Sequence, residues 1–140
     1  MPRASTSDIP DSRPRSVGLA IVFLWFFIGG LAHFVATDAE LKIVPPYIPW
    51  PHAAVIVSGV LELIGVAGLF SPSTRRAAGW LLFAVTIGVT PVHIWMLETA
   101  SQWPVPYWAL VLRLPLQVAL LCLILWSTSA PSKSRFYVPT

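Results

Sequence analysis

Four long apolar runs, separated by short polar connections, dominate the pattern of this 140-residue chain. The runs cover residues 16–36, 52–70, 77–97 and 107–126, and each has about the 20 mostly apolar residues that a membrane-spanning helix needs. Because short connections join antiparallel neighbours, the pattern predicts an all-α integral membrane four-helix bundle over residues 16–127, with both termini on one side.

The polar ends of the chain, residues 1–15 and 128–140, are predicted to be disordered tails. A cleaved signal peptide is the alternative for the first run, since a basic leader precedes it. The apolar part is long and bulky, and no clear small-residue cleavage site follows it. These features favour a retained helix.

Composition supports a membrane solvent, because 56% of the residues are hydrophobic and only 11% are charged, against about 25% charged in soluble domains. The basic residues are scattered rather than striped, so the sequence gives no nucleic-acid footprint. Cys122 is the single cysteine, which excludes an intramolecular disulfide and a CxxC redox or zinc motif. We expect it to be a small buried hydrophobe.

The distribution of charge predicts the orientation. The side of the bundle that carries both termini holds most of the basic residues: Arg3, Arg13, Arg15, Arg75, Arg76, Lys133 and Arg135. The opposite side holds one basic residue and three acidic ones, namely Lys42, Asp38, Glu40 and Glu98. The positive-inside rule therefore predicts that both termini lie in the cytoplasm.

The first outer connection contains the stretch IVPPYIPW, whose prolines forbid a regular helix. Extended backbone is not tolerated in lipid, so this loop either lies in the membrane interface or folds down as a lid over the mouth of the bundle. The lid would consist of Pro45, Pro46, Tyr47, Pro49 and Trp50.

Ionisable side chains interrupt all four runs in the outer half or near the midplane. Glu62 lies about 15 Å into the second run and Arg113 about 9 Å into the fourth, at 1.5 Å per residue. His93 and His33 lie near the outer ends of the third and first runs. The inner half carries none of these groups, and this asymmetry predicts a polar site in the outer half.

We expect Glu62 and Arg113 to form a pair, either directly or through Gln117 or water, because an unpaired charge in a bilayer costs about 2.5–3.5 kcal/mol. The alternative is that Arg113 snorkels to the outer headgroups or to Glu98. A buried pair of this kind either marks a functional cavity or fixes helix register. The candidate pocket comprises Glu62, Arg113, Gln117, His93, Ser58 and Thr90.

Two prolines inside the runs predict local breaks in the backbone hydrogen bonding. Pro91 cannot bond the carbonyl of Ile87, and Pro115 cannot bond that of Val111. A neighbouring side chain or water is expected to satisfy the freed carbonyls, and Arg113 is a candidate donor.

The histidines give no metal prediction. Two of them at similar depth could in principle ligate a haem iron, but there is no CxxCH motif and no second pair. His93 is expected to be a hydrogen-bonding partner in the pocket, whereas His33 and His52 are expected to be solvated or capping.

Several stretches occur together in a recognisable order: PPYIPWP, SGVLELIGVAGL, SPSTRRAAGW, PVHIWM and LRLPLQ. In this order they resemble the DoxX-like family of small four-helix bacterial membrane proteins, over roughly residues 29–126. The match includes Glu62 and the segment from Arg113 to Gln117. Relatives usually have Asn where this chain has His93, so the role of that position is not carried over. The resemblance implies the fold, the bacterial inner membrane and a redox-linked role.

Three functions follow as hypotheses. The first is an accessory or quinone-interacting subunit of a redox-linked membrane complex, with a quinone as candidate ligand and no covalently bound cofactor. The second is a small-solute or proton transporter, and the third is a non-catalytic scaffold. The chain shows no haem, flavin, iron–sulfur or thiol signature, so an enzymatic role is expected to need a redox partner subunit. A homodimer is left open.

Overall fold

The computed structural model describes residues 13–129. Within this range the chain forms helices and no strands. Their bounds are α1 Arg13–Val35, α2 Thr37–Ile43, α3 Pro51–Gly68, α4 Arg75–Gly88, α5 Thr90–Glu98 and α6 Tyr107–Thr128, with a short 3₁₀ turn at Ala100–Gln102. The predictions for the tails fall largely outside the described residues.

Four segments are long and apolar enough to cross a membrane, and they match the four predicted runs within a few residues. They are α1, α3, the consecutive helices α4 and α5, and α6. Length and hydropathy therefore confirm a helical protein with four candidate spans. The third span is broken at Val89, two residues before Pro91. A proline lacks the N–H that would continue the helical ladder, and this explains the break. Pro115, in contrast, lies inside an uninterrupted α6.

The four spans pack as a closed ring. α1 lies between α3 and α6, and α4 lies between the same two helices on the other side. We call the end of this ring that carries α2 the α2 end, and the end that carries residues 13 and 129 the tail end.

The tail half of the ring contains the hydrophobic core. The core residues are Val22, Phe26, Val66, Leu69, Ala78, Leu82 and Ile124. Glycines allow the helices to come close here, because a Cβ at Gly65 would overlap the side chain of Leu82 and one at Gly79 would overlap Thr128. Small residues at such contacts are the usual means by which membrane helices pack.

Side chains satisfy the carbonyl groups left free at the helix ends of the tail end. Arg15 donates from Nε to the carbonyl of Ser127 (3.3 Å) and from its terminal nitrogen to those of Trp126 (3.1 Å) and Ser129. Thr74 donates to the carbonyl of Gly68 at the end of α3 (2.7 Å). The last carbonyls of a helix have no partner within it, and a cation there also interacts favourably with the helix dipole.

The first outer connection is more ordered than its sequence predicted, because its residues 37–43 form α2. This helix packs against α3 and α5. Thr37 joins it to α1 by donating to the carbonyl of His33 (2.6 Å). The whole connection was predicted to be a loop, and α2 was not predicted. A helix of two turns is marginal without tertiary contacts, so the sequence gives little sign of it.

The five residues of the predicted lid differ in their exposure, and their role as a lid stays a prediction. Pro45 is fully buried, and Tyr47 packs edge-on against Trp95 of α5 with ring centres 6.5 Å apart. Pro46, Pro49 and Trp50 are exposed, so they do not cover the bundle. Trp50 adopts the left-handed backbone region (φ 51°) where the chain turns into α3. The side chains of this connection that line the cavity beneath it are Glu40, Ile43, Val44 and Ile48.

One further expectation is wrong. Cys122 is exposed on the outer surface of α6 rather than buried in the core. Its position in the middle of an apolar run gave no information about which face it occupies, because a membrane helix is apolar on its lipid side as well.

Candidate ligand site

Glu62 is buried near the middle of α3, with 8% of the residue exposed. Its carboxylate Oε1 lies 3.6 Å from His33 Nε2 on α1. Two glycines permit this approach, since a Cβ at Gly29 would lie 2.9 Å from Glu62 Oε2 and a Cβ at Gly59 would lie 2.7 Å from His33 Cβ. The pair is therefore built where α1 and α3 come closest.

The predicted direct pair between Glu62 and Arg113 is not formed. Within the described residues, the carboxylate finds His33 within 4.0 Å, and Arg113 donates one hydrogen bond, to the sulfur of Met96 (2.9 Å). α3 packs against α1 and α4, whereas α6 lies across the ring from it. The prediction matched the two charges by depth and did not use the expected adjacency of consecutive runs, which places α3 beside α1 and α4. His33, expected to be solvated or capping, is the missed partner.

Gln117 organises the break between α4 and α5. Its amide nitrogen donates to the carbonyl of Thr86 and to Oγ1 of Thr90, both at 2.7 Å. Its amide oxygen lies 2.6 Å from Nδ1 of His93. The carbonyl of Ile87, which Pro91 cannot bond, was predicted to accept a hydrogen bond from a side chain such as Arg113. The carbonyl bonded by a side chain at the break is instead that of Thr86, its donor is Gln117, and Arg113 donates to Met96.

This network defines which ring nitrogen of His93 carries a proton. A backbone carbonyl only accepts hydrogen bonds, so the atom of Gln117 that faces Thr86 is its nitrogen. The amide oxygen must then face His93, and Nδ1 of the ring must be the donor. In a neutral imidazole the other nitrogen, Nε2, is left as an acceptor. His93 thus offers a hydrogen-bond acceptor, whereas Arg113 offers donors.

A first cavity of about 250 Å³ lies beside these groups. Its polar lining comes from Glu62, Thr86, His93, Arg113 and Gln117, and its apolar lining from Trp25, Phe26, Val89, Leu116 and Leu120. Trp25 on α1 and Leu116 on α6 are about half exposed (57% and 50%). The cavity therefore opens between α1 and α6, on the apolar outer surface of the bundle. We call it the lateral cavity.

A second cavity of about 240 Å³ lies under α2. Its polar lining comes from His33, Glu40, Ser58, Glu62 and His93, and part of its apolar lining from Ile43, Val44 and Ile48. We call it the α2 cavity. Glu62, Val89 and His93 line both cavities, so these three residues stand between them.

Five of the six predicted pocket residues line one or both of the two cavities. The lateral cavity takes Arg113 and Gln117, the α2 cavity takes Ser58, and Glu62 and His93 line both. Thr90 contributes through its hydrogen bond from Gln117. The residues that sequence reasoning missed are His33, Glu40, Thr86 and Trp25. For His33 a signal existed, because Gly29 precedes it by four residues and glycines at this spacing indicate a helix contact.

No group of three or more His, Cys, Asp or Glu side chains within residues 13–129 is arranged to hold a metal ion. No curated protein and no solved structure matches the chain. One protein-family model does match, over residues 19–130, which is most of the chain and includes the last three candidate spans and most of the first. The chain thus belongs to the family described as a domain of unknown function, DUF8561.

Proposed function

We propose that this chain is a multi-pass membrane protein that binds the head group of a quinone in its lateral cavity, as an accessory subunit of a redox-linked membrane complex. The single observation that carries the proposal is the state of Arg113. Its guanidinium lines the lateral cavity, and its hydrogen-bond partner within the described residues is a thioether.

A guanidinium has five donors, and a methionine sulfur is a weak acceptor. In the apolar part of a membrane protein, unsatisfied donors on a charged group are costly. The remaining donors of Arg113 therefore favour a ligand that brings an oxygen acceptor into the lateral cavity. A quinone carbonyl is such an acceptor, and it is carried on a molecule that dissolves in lipid.

His93 and Arg113 together offer hydrogen bonds to both redox forms of the ligand. His93 presents an acceptor at Nε2, which suits the hydroxyl of a quinol, while Arg113 suits the carbonyl of a quinone. Trp25 and Phe26 supply aromatic surface for the ring. A volume of about 250 Å³ is below the roughly 300–1,000 Å³ of sites that enclose a drug-sized ligand. It fits a ring whose tail stays in the lipid between α1 and α6.

The cellular setting is also part of the proposal. The arginines at positions 13, 15, 75 and 76 lie at the tail end, whereas Asp38 and Glu40 lie in α2. By the positive-inside rule, we place the tail end and both termini in the cytoplasm and the chain in a bacterial inner membrane. Electrons would be exchanged with a separate redox subunit. The DoxX-like motifs of the sequence support this assignment, and the match to DUF8561 carries no function of its own.

A scaffold role and a transport role are the competing proposals. A scaffold would use the His33–Glu62 pair only to hold α1 against α3. A transporter needs a polar path to both ends of the bundle, and the residues between the lateral cavity and the tail end include Val22, Leu82 and Ile124, which are completely buried. The observation that favours a ligand over both is the lateral opening, which neither role requires.

The first experiment is purification of the full chain in a mild detergent, followed by mass spectrometry of co-purifying quinones, lipids and proteins. The purified protein is then placed in nanodiscs and titrated with a short-chain benzoquinone, with quenching of tryptophan fluorescence as the readout. The Arg113→Gln variant should bind about 10- to 100-fold more weakly, because a hydrogen bond to a charged group contributes about 1.5–3 kcal/mol.

The matched control is Val118→Ala, which changes an exposed residue of the same helix outside both cavities. It should bind the quinone as the wild type does. Absence of saturable quinone binding by the wild type, or wild-type affinity in Arg113→Gln, would refute the proposal. Lost affinity in Val118→Ala as well would point to general damage of α6 and not to a site at Arg113.

A further inference from the structure

We infer that the α2 cavity is an aqueous vestibule, selective for small cations, that connects the buried carboxylate of Glu62 to the solvent at the α2 end. This inference does not depend on the ligand of the lateral cavity. It rests on the lining of the α2 cavity, on one buried nitrogen without a partner, and on the position of Glu62 between the two cavities.

The lining of the α2 cavity differs in charge from that of the lateral cavity. Glu40 and Glu62 both line the α2 cavity, and among residues 13–129 no lysine or arginine does. Arg113 lies on the lateral side. Charges of one sign in a cleft with low-dielectric walls concentrate counter-ions. Even with His33 paired to Glu62, a second carboxylate remains in the lining, so the α2 cavity favours small cations, including the hydrated proton.

Polar residues that line the α2 cavity can be satisfied by water. His33 is one of these residues, and its Nδ1 is buried without a hydrogen-bond partner within residues 13–129. Most buried polar groups of this kind are satisfied by protein or by ordered water. A cavity of about 240 Å³ has room for several water molecules, each needing roughly 30 Å³ of liquid volume. Hydroxyl and carboxylate groups of Ser58 and Glu40 supply the further partners that such waters need.

The charged groups around Glu62 come from four other elements. His33 faces it from α1, Glu40 lines the same cavity from α2, His93 stands beside it from α5, and Arg113 lines the lateral cavity from α6. Glu62 is the acid that both cavities share. A proton that enters under α2 therefore reaches the wall of the lateral cavity without crossing the sealed tail half.

Substituted-cysteine accessibility tests the vestibule. In a Cys122→Ser background, Ser58→Cys places a thiol on the α2 cavity, and Val57→Cys places one at the same depth on the lipid-facing side of α3. The full chain in nanodiscs is treated with a membrane-impermeant cationic methanethiosulfonate or with its anionic counterpart. Labelling is quantified by mass spectrometry.

We expect the cationic reagent to modify Ser58→Cys at least about tenfold faster than the anionic one, because field focusing raises on-rates by roughly 10- to 1,000-fold. Val57→Cys should stay unmodified by both. Adding Glu40→Gln should reduce the ratio of cationic to anionic rates. Equal rates for the two reagents, or no reaction at Ser58→Cys, would overturn the inference.

The connection to Glu62 is tested by blocking the vestibule. A water-soluble cationic carbodiimide should label Glu62 in the Ser58→Cys protein, and prior attachment of the methanethiosulfonate group should reduce that labelling several-fold. A lipid-soluble carbodiimide should label Glu62 before and after the block, through the lateral cavity. Unchanged labelling by the water-soluble reagent after the block would contradict the connection. Because no quinone is involved, this result is separable from the quinone titration.

Discussion

The two halves of the bundle are built differently. The tail half is a dry core, with fully buried Val22, Leu82 and Ile124 and with helix ends satisfied by Arg15 and Thr74. The α2 half contains the lateral cavity, the α2 cavity, a break in the third span and a guanidinium whose hydrogen bond goes to a methionine sulfur. The buried core of the tail half stabilises the bundle, whereas the cavities and polar side chains of the α2 half are features of a ligand site.

Because of this difference, we expect residues of the tail half to determine stability and residues of the α2 half to determine ligand binding. Changes in the tail half should lower the free energy of unfolding and leave ligand binding intact in the molecules that remain folded. Changes in the α2 half should act on binding, with small effects on unfolding. The expectations below are ordered by the size of the effect.

The largest effect is expected for Leu82→Ala in the tail half. Leu82 is completely buried and fills the space left by Gly65. Its truncation creates a cavity and should reduce the free energy of unfolding by about 2–5 kcal/mol. Thermal unfolding in nanodiscs measures this. The control is Leu112→Ala, which truncates an exposed leucine of α6 and should change the unfolding temperature little. Equal losses of stability in the two variants would show that buried Leu82 contributes no more to stability than exposed Leu112 does.

A matched pair of glycine substitutions compares the two halves directly. In Gly65→Ala the new methyl group meets Leu82, which is packed on all sides, so we expect a loss of about 1–3 kcal/mol. In Gly29→Ala it meets the end of the Glu62 side chain, which can move into a cavity. Glycine-to-alanine substitution gains about the same helix propensity at both positions. The loss of stability should therefore be smaller for Gly29→Ala than for Gly65→Ala.

Denaturant or thermal unfolding of the two alanine variants side by side checks this expectation. The Gly29→Ala protein should also show altered carbodiimide labelling of Glu62, since its carboxylate is displaced, whereas Gly65→Ala should not. A larger loss of stability in Gly29→Ala than in Gly65→Ala would mean that the His33–Glu62 contact holds the bundle more strongly than the tail core does.

The smallest effect is expected for Arg15→Gln. Arg15 donates to the last carbonyls of α6 from a partly exposed position, and a cation at a helix C-terminus contributes roughly 0.3–1 kcal/mol. The unfolding temperature should fall slightly, and quinone affinity should equal that of the wild type. A change in affinity would show that the two halves are coupled through α6.

The sequence predicted the fold well because membrane spans are long and apolar over their whole length. The break near Pro91 was also predictable, since a proline removes a backbone donor. The predictions were less accurate where contacts between helices decided the structure. Arg113 and Glu62 were paired by depth, although their helices α6 and α3 are not consecutive spans and lie across the ring from each other. α2 was missed because its contacts with α3 and α5 are tertiary.

The candidate pocket was predicted from the positions of its ionisable groups, because such groups inside apolar runs have few structural explanations, and its role as a site stays a prediction. The division into two cavities was not predictable. It arises from the break at Val89, which turns His93 toward Gln117 and leaves space on both sides of Glu62.

The most direct test of the central claim is the stability of Arg113→Leu together with its quinone affinity. If Arg113 is present for a ligand, removing a charge that has no carboxylate partner within residues 13–129 should leave the unfolding temperature in nanodiscs unchanged or higher, while quinone binding is lost. If Arg113 instead holds the bundle together, Arg113→Leu will unfold at a clearly lower temperature than the wild type, and that result would contradict the account.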